Sequence, residues 1–203
     1  MPVRAVVFDI GGMLFDWDIG NLYRKLITDP AQLDWFLTHV VTPAWHHQHD
    51  EGRDFADTSA ELIAQFPDQA DLIRLYAPRF GETVGAPIAG MHELVADLAA
   101  ADVPLYCITN FSHELFPPFR GDHAALFDRF IDIVVSGAEK LAKPDPAIYA
   151  LALKRFGLAP GEGFFIDDRT DNVESANRCG LIGHHFSGVE GVRAQLAELN
   201  ILA

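Results

Sequence analysis

Four short apolar runs in this chain each lead into residues able to do chemistry. Residues 5–8 run into Asp9, and residues 104–108 into Thr109 and Asn110. Residues 131–135 are followed by Lys140 and Lys143, and residues 163–166 by Asp167 and Asp168. A carboxylate can attack phosphorus once the charge on the phosphoryl oxygens is neutralised. A lysine supplies part of that neutralisation, and a hydroxyl and an amide can bind the oxygens. Three carboxylates brought together repel one another unless a cation sits among them. The set therefore matches what phosphoryl transfer through an aspartyl phosphate requires.

These residues meet only if the runs lie side by side. Short continuous apolar runs bounded by breakers suit strands buried on both faces. A weaker fifth run covers residues 181–186. Helical patterns alternate with them. One carries Met91, Leu94, Val95 and Leu98. The next carries Ile148, Leu151, Ala152 and Phe156, with Asp145 as N-cap, Pro146 in the first turn and Gly157 past the end. Residues 171–179 closed by Gly180, and residues 189–199, read as two more. The alternation predicts an α/β fold with a parallel, Rossmann-like sheet flanked by helices, whose ligand crevice lies beyond the C-terminal strand ends. Residues 18–84 break the alternation. They contain no convincing strand but show helix starts at Asp29-Pro30, Thr42-Pro43 and a capping box from Thr58 to Glu61. They predict a small helical insertion after the first strand, placed to cover the crevice.

The motifs Val7-Phe-Asp-Ile-Gly-Gly-Met-Leu14, Cys107-Ile-Thr-Asn110, Lys143-Pro-Asp-Pro-Ala-Ile-Tyr149 and Phe165-Ile-Asp-Asp-Arg-Thr-Asp-Asn-Val173 occur in this order across nearly the whole chain. In them the chain resembles the haloacid dehalogenase superfamily, and most closely its α-glucose-1-phosphate phosphatase-like subgroup. The resemblance implies a core of residues 1–17 and 85–203 carrying an α-helical cap of residues 18–84. It implies a Mg²⁺-dependent phosphatase acting on a small phosphorylated metabolite, a sugar phosphate for preference. Asp9 would be the nucleophile. Asp9, the Gly11 carbonyl and Asp168 would hold Mg²⁺, with Asp167 and Asn172 beside or behind them. Thr109, Asn110 and Lys143 would bind the phosphate, Lys143 also keeping Asp9 ionised. Lys140 is the rival of Lys143, which matches the motif residue for residue.

The chain departs from the family where most of its phosphatases carry a second aspartate, two residues after the nucleophile, as general acid and base. Here that residue is Gly11, and Met13 stands two further on, where Thr or Val is usual. A replacement acid could come from Asp16, Asp18, His46, His47, His49 or Asp50. The stretch Trp45-His-His-Gln-His-Asp50 reads first as a solvated helix face. Trp35, Trp45, His49 and Tyr76 are candidates for substrate contact. The alternatives are a leaving group that needs little protonation, a catalytically impaired phosphate-ligand-binding protein, and a 2-haloacid dehalogenase. The last needs no metal and usually lacks the Asp167–Asp168 pair.

Composition narrows the partners. The chain has 203 residues, 49% of them hydrophobic and 22% charged, with a net charge of −14. That is globular composition, and its field repels nucleic acid. Cys107 and Cys179 form no disulfide framework or metal-spaced pair, which favours a reducing compartment. The opening apolar run is too short for a signal peptide or membrane span, so a cytoplasmic protein with no membrane or nucleic-acid partner is expected. The sequence sets no oligomeric state.

Overall fold

A computed structural model describes residues 2–202; Met1 and Ala203 lie outside the described residues. Five strands, β1 (Ala5–Phe8), β4 (Leu105–Thr109), β5 (Asp132–Val135), β6 (Gly163–Asp167) and β7 (Ile182–His185), form one sheet in the order β5-β4-β1-β6-β7. All its pairings are parallel, with Phe8 opposite both Cys107 and Ile166. β1 lies at the centre, so Asp9 emerges between the ends of β4 and β6.

Side chains alternate across a strand, and both faces are covered. Val6, Phe8, Leu105, Cys107, Phe164 and Ile166 face one apolar cluster, packed against Met91–Ala100 and Val189–Glu198. Ala5, Val7, Tyr106, Ile108 and Phe165 face another, with Ile148, Ala152 and Phe156 from the helix Pro146–Phe156 and Ala176 from Thr170–Arg178. The expected caps appear: the Asp145 carboxylate accepts from the Ala147 N–H, and Gly157 takes a left-handed conformation.

Two further strands, β2 (Phe15–Trp17) and β3 (Val84–Pro87), pair antiparallel, with Phe15 opposite Pro87 and Trp17 opposite Val84. The sequence predicts neither. The chain enters and leaves the helical segment through this ribbon. Within the segment, helices Pro30–His39, Pro43–Asp50 and Phe55–Gln65 pack around their own apolar cluster of Tyr23, Phe36, Trp45, Phe55 and Tyr76. Asp29 and Thr42 cap the first two as expected. The Thr58 capping box does not form. The third helix starts one turn earlier, with Asp54 at the N-cap position, and Thr58 lies buried inside it. Its hydroxyl lies 2.6 Å from His49 Nε2 and 3.1 Å from the Asp54 carbonyl. Among the described residues, no helix is long and apolar enough to cross a membrane.

Candidate active site

Asp9 leaves the end of β1 with its backbone N–H donating to the Ile166 carbonyl at 3.0 Å. This bond holds it level with Asp167, the last residue of β6. Lys143 reaches both from the loop after β5. Its Nζ lies 2.8 Å from Asp9 Oδ1 and 2.6 Å from Asp167 Oδ2, with the side chain only 1% exposed. The loop is fixed from two sides. Asn110 Nδ2 donates to the Lys143 carbonyl at 2.9 Å, and the Lys143 N–H donates to Asn110 Oδ1 at 2.8 Å. The Ser175 hydroxyl donates to the Pro144 carbonyl at 2.6 Å. Asn110 therefore spends both ends of its amide on placing Lys143. Lys140 is exposed and lies outside this cluster.

Burial and charge act against each other here. Burial pushes the Asp9 carboxyl up to about 7, the Lys143 ammonium opposing this and the Asp167 carboxylate adding to it. Burial alone would pull Lys143 down, but the two carboxylates hold its ammonium above the ordinary range. Burial, and then Asp167, also raises Asp168. One ammonium thus leaves negative charge at this rim under-compensated. A further cation would lower the cost of ionising Asp9.

Asp9, Asp167 and Asp168 each offer a carboxylate oxygen, all within 4.8 Å of one another. They are not equally free. Asp167 is fully buried and accepts from Lys143 Nζ, from the Arg169 N–H at 2.9 Å and from Asn172 Nδ2 at 2.9 and 3.1 Å. Asp168 is exposed and in no salt bridge among the described residues. Its carboxylate rests against Gly12, where φ is +68° and a Cβ would overlap it. The donors suit a hard divalent ion, which Asp9 and Asp168 would hold, with Asp167 and Asn172 behind them.

A cavity of about 570 Å³ opens beside these groups. Asp9, Gly11, Asn110, Lys143 and Asp168 line it from the sheet, and His46, His47 and Asp50 from the helix Pro43–Asp50. That helix is not a solvated face: Trp45, His49 and Asp50 are buried. Thr109 is buried at the end of β4 and is not among the lining residues. Of the six candidate acids, His46, His47 and Asp50 line the cavity; Asp16, Asp18 and His49 do not. Nor do Trp35, Trp45 and Tyr76. Phe15, Trp17, Phe80, Phe111 and Phe119 line it instead. Sequence reasoning passed over all five; only Phe111, directly after Asn110, carried a local signal.

The model of the haloacid dehalogenase-like hydrolases matches residues 3–180, which span all the site residues above. The chain belongs to this family of hydrolases. It is 28% identical to a sesquiterpene phosphatase from Aspergillus oryzae over 199 residues, 97% of this chain and 96% of that one. A predicted HAD-like family hydrolase from Porphyromonas gingivalis superposes with a TM-score of 0.73 at 19% identity, covering 98% of each chain. The magnesium complex of a HAD family enzyme from Bacteroides thetaiotaomicron superposes with a TM-score of 0.68 at 18% identity, covering 93% of this chain and 95% of that one. The two structures share the fold; the sequence relation lies in the family match.

Proposed function

We propose that this hydrolase is a Mg²⁺-dependent phosphatase that passes the phosphoryl group of a small phosphorylated metabolite to Asp9 and then to water. One observation carries the reading. The Lys143 ammonium is clamped between the Asp9 and Asp167 carboxylates, while the unpaired Asp168 carboxylate stands within 4.8 Å of them. Such a centre is built to gather an anion and a cation around one nucleophilic oxygen. A dehalogenase has no need of the extra carboxylates. The Aspergillus relative, named as a phosphatase, supports the same reading.

Asp9 would attack phosphorus with one carboxylate oxygen while the bond to the leaving oxygen breaks, the electron pair departing with the leaving group. Lys143 would neutralise a phosphoryl oxygen and hold the Asp9 carboxylate ionised. When bound, Mg²⁺ supplies charge compensation and alignment of nucleophile and phosphate. Asn110 would hold the lysine in place rather than touch phosphate. Gly11 has no side chain to protonate the leaving oxygen. His47, raised chiefly by the Asp50 carboxylate 3.5 Å away, would carry a proton into the cavity. Water activated by the same pair would then release phosphate from Asp9.

In this reading residues 18–84 cap a core of residues 1–17 and 85–203, and two unbridged thiols accord with the cytoplasm. The expected sugar phosphate rests on the subgroup resemblance alone, and the Aspergillus relative is named as a sesquiterpene phosphatase.

The test is turnover of an aryl phosphate with and without chelator, beside halide release from a 2-haloacid. We expect phosphate release that Mg²⁺ restores after chelation, and no halide. Asp9→Asn should lose roughly 10³-fold or more of the turnover while remaining folded. Halide release, or substantial turnover by Asp9→Asn, would overturn the reading. Mg²⁺ binding with no ester cleaved at any pH would favour a binding protein.

A further inference from the structure

Much of the wall of the cavity beside Asp9 is an arc of rings that touch in series. Trp17 lies against His46 with centroids 4.8 Å apart, and His46 stacks on Phe80 at 6.2 Å. Phe80 meets Phe111 at 5.3 Å, Phe111 meets Phe119 at 5.2 Å, and Phe119 meets Phe15 at 5.3 Å. All six line the same cavity, with Val84 among them.

Several polar groups of the cavity are committed, while Asp50 Oδ1 is buried without a hydrogen-bond partner among the described residues, and His47 and Asp168 are exposed. The Asn110 amide is spent on the Lys143 backbone. The Arg169 guanidinium is held by Asp171, at 3.1 Å through Nε and 2.7 Å through Nη2. His46 Nδ1 is engaged by the Tyr76 hydroxyl at 2.7 Å. A polyol seated against the Phe and Trp rings would lose hydrogen bonds to water and find replacements only at their margin, at His47 and Asp50, a cost that rises with each hydroxyl left over. A hydrocarbon or aryl group would instead bury apolar surface on both itself and the rings. The volume, about 570 Å³, lies within the roughly 300–1,000 Å³ common for small-molecule sites.

We infer that the substrate is a phosphomonoester whose organic part is hydrocarbon-rich, seated against the Trp17–His46–Phe80–Phe111–Phe119–Phe15 arc with its phosphate at Asp9 and Lys143. The inference rests on the phosphatase reading for the position of the phosphate. It differs from the sugar phosphate that the subgroup resemblance suggests.

The experiment compares straight-chain alkyl phosphates of increasing length with a hexose phosphate. In parallel, calorimetry follows the binding of the matching alkyl phosphonates to the unmodified protein. Each added methylene should raise kcat/KM by about threefold to fourfold until the arc is filled, and tighten phosphonate binding by a similar factor. The hexose phosphate should fall below the longer alkyl esters. Phe111→Ser should flatten the dependence on length. A hexose phosphate equal to or better than the long alkyl esters, with phosphonate binding independent of length, overturns the inference and leaves the phosphatase reading intact. Length-dependent phosphonate binding without cleavage of any ester upholds the apolar seat and overturns the phosphatase reading. Length-independent binding without cleavage overturns both.

Discussion

Replacing Lys143 by Met removes the one ammonium that two buried carboxylates share while keeping most of its volume. Asp9 and Asp167 then face each other with oxygens within 4.8 Å. At an effective dielectric constant of about 20, two unit charges at that separation repel by about 3.5 kcal/mol. Breaking a buried ion pair by deleting one partner commonly costs about 3–5 kcal/mol, in line with that figure. For a chain of this size the loss corresponds to roughly 6–20 °C in Tm. Protonation of Asp9, already pushed up to about 7 by burial, limits the damage, so the upper end of the range belongs to alkaline pH. The assay is denaturant unfolding in chelator for Lys143→Met, Asp167→Asn and the double variant. The double variant should recover at least about half of the loss, because its second change removes the stranded charge. A loss under about 1 kcal/mol for Lys143→Met at pH 8, or strictly additive effects in the cycle, would refute the claim that the ammonium is what lets the carboxylates coexist.

Asp168→Ala should raise the Mg²⁺ concentration for half-maximal activity at least tenfold while leaving the metal-free Tm nearly unchanged, since Asp168 is exposed and unpaired; unchanged metal dependence would place the ion elsewhere. His47→Asn should lower kcat for alkyl phosphates by roughly 10²-fold and remove the fall in kcat as pH rises through the His47 pKa. An unaltered alkaline limb would show that the proton comes from another group. His49 donates from Nδ1 to the His46 carbonyl at 2.9 Å and meets the Thr58 hydroxyl through Nε2, and burial lowers its pKa to about 4. Between about pH 6.5 and 4 the unfolded chain therefore binds a proton that the folded chain does not. This site's contribution, full above about pH 6.5, is lost as pH falls to about 4 and amounts to roughly 3 kcal/mol. His49→Gln should flatten the pH dependence of unfolding in that window, and an unchanged slope would contradict the assignment.

The sheet was legible in the sequence because its signal is local. Each strand is a short apolar run, and the alternation of Ala5 and Val7 against Val6 and Phe8 divides between two apolar clusters. Lys143, Asp167 and Asp168 stood out for the same reason: Asp167 ends β6, Asp168 directly follows it, and Lys143 shortly precedes a helix start. The β2–β3 ribbon carried no such signal. Its partners, Phe15 with Pro87 and Trp17 with Val84, lie far apart in sequence, and β3 contains a glycine and a proline. Polarity misled at the helix Pro43–Asp50, whose histidines read as solvated. His49 is buried because Thr58 satisfies its ring, and His46 is held by Tyr76. Both partners come from later turns of the chain. Asn110 shows the limit of reading a role from a motif. Its place at a strand end is as expected, but its amide is committed 33 residues away, at Lys143.

The ribbon of β2 and β3 also bears on how the cavity comes into being. Both crossings to residues 18–84 run side by side through it, and a second tie lies elsewhere, where the Phe55 N–H donates to Glu114 Oε2 at 2.7 Å and His113 Nε2 lies 3.3 Å from Asp54 Oδ1. The aromatic wall is assembled from both sides of these ties: Trp17, His46 and Phe80 come from the ribbon and the segment it carries, Phe111 and Phe119 from the chain that follows β4. The Phe80–Phe111 contact is therefore the seam on which the wall's continuity depends.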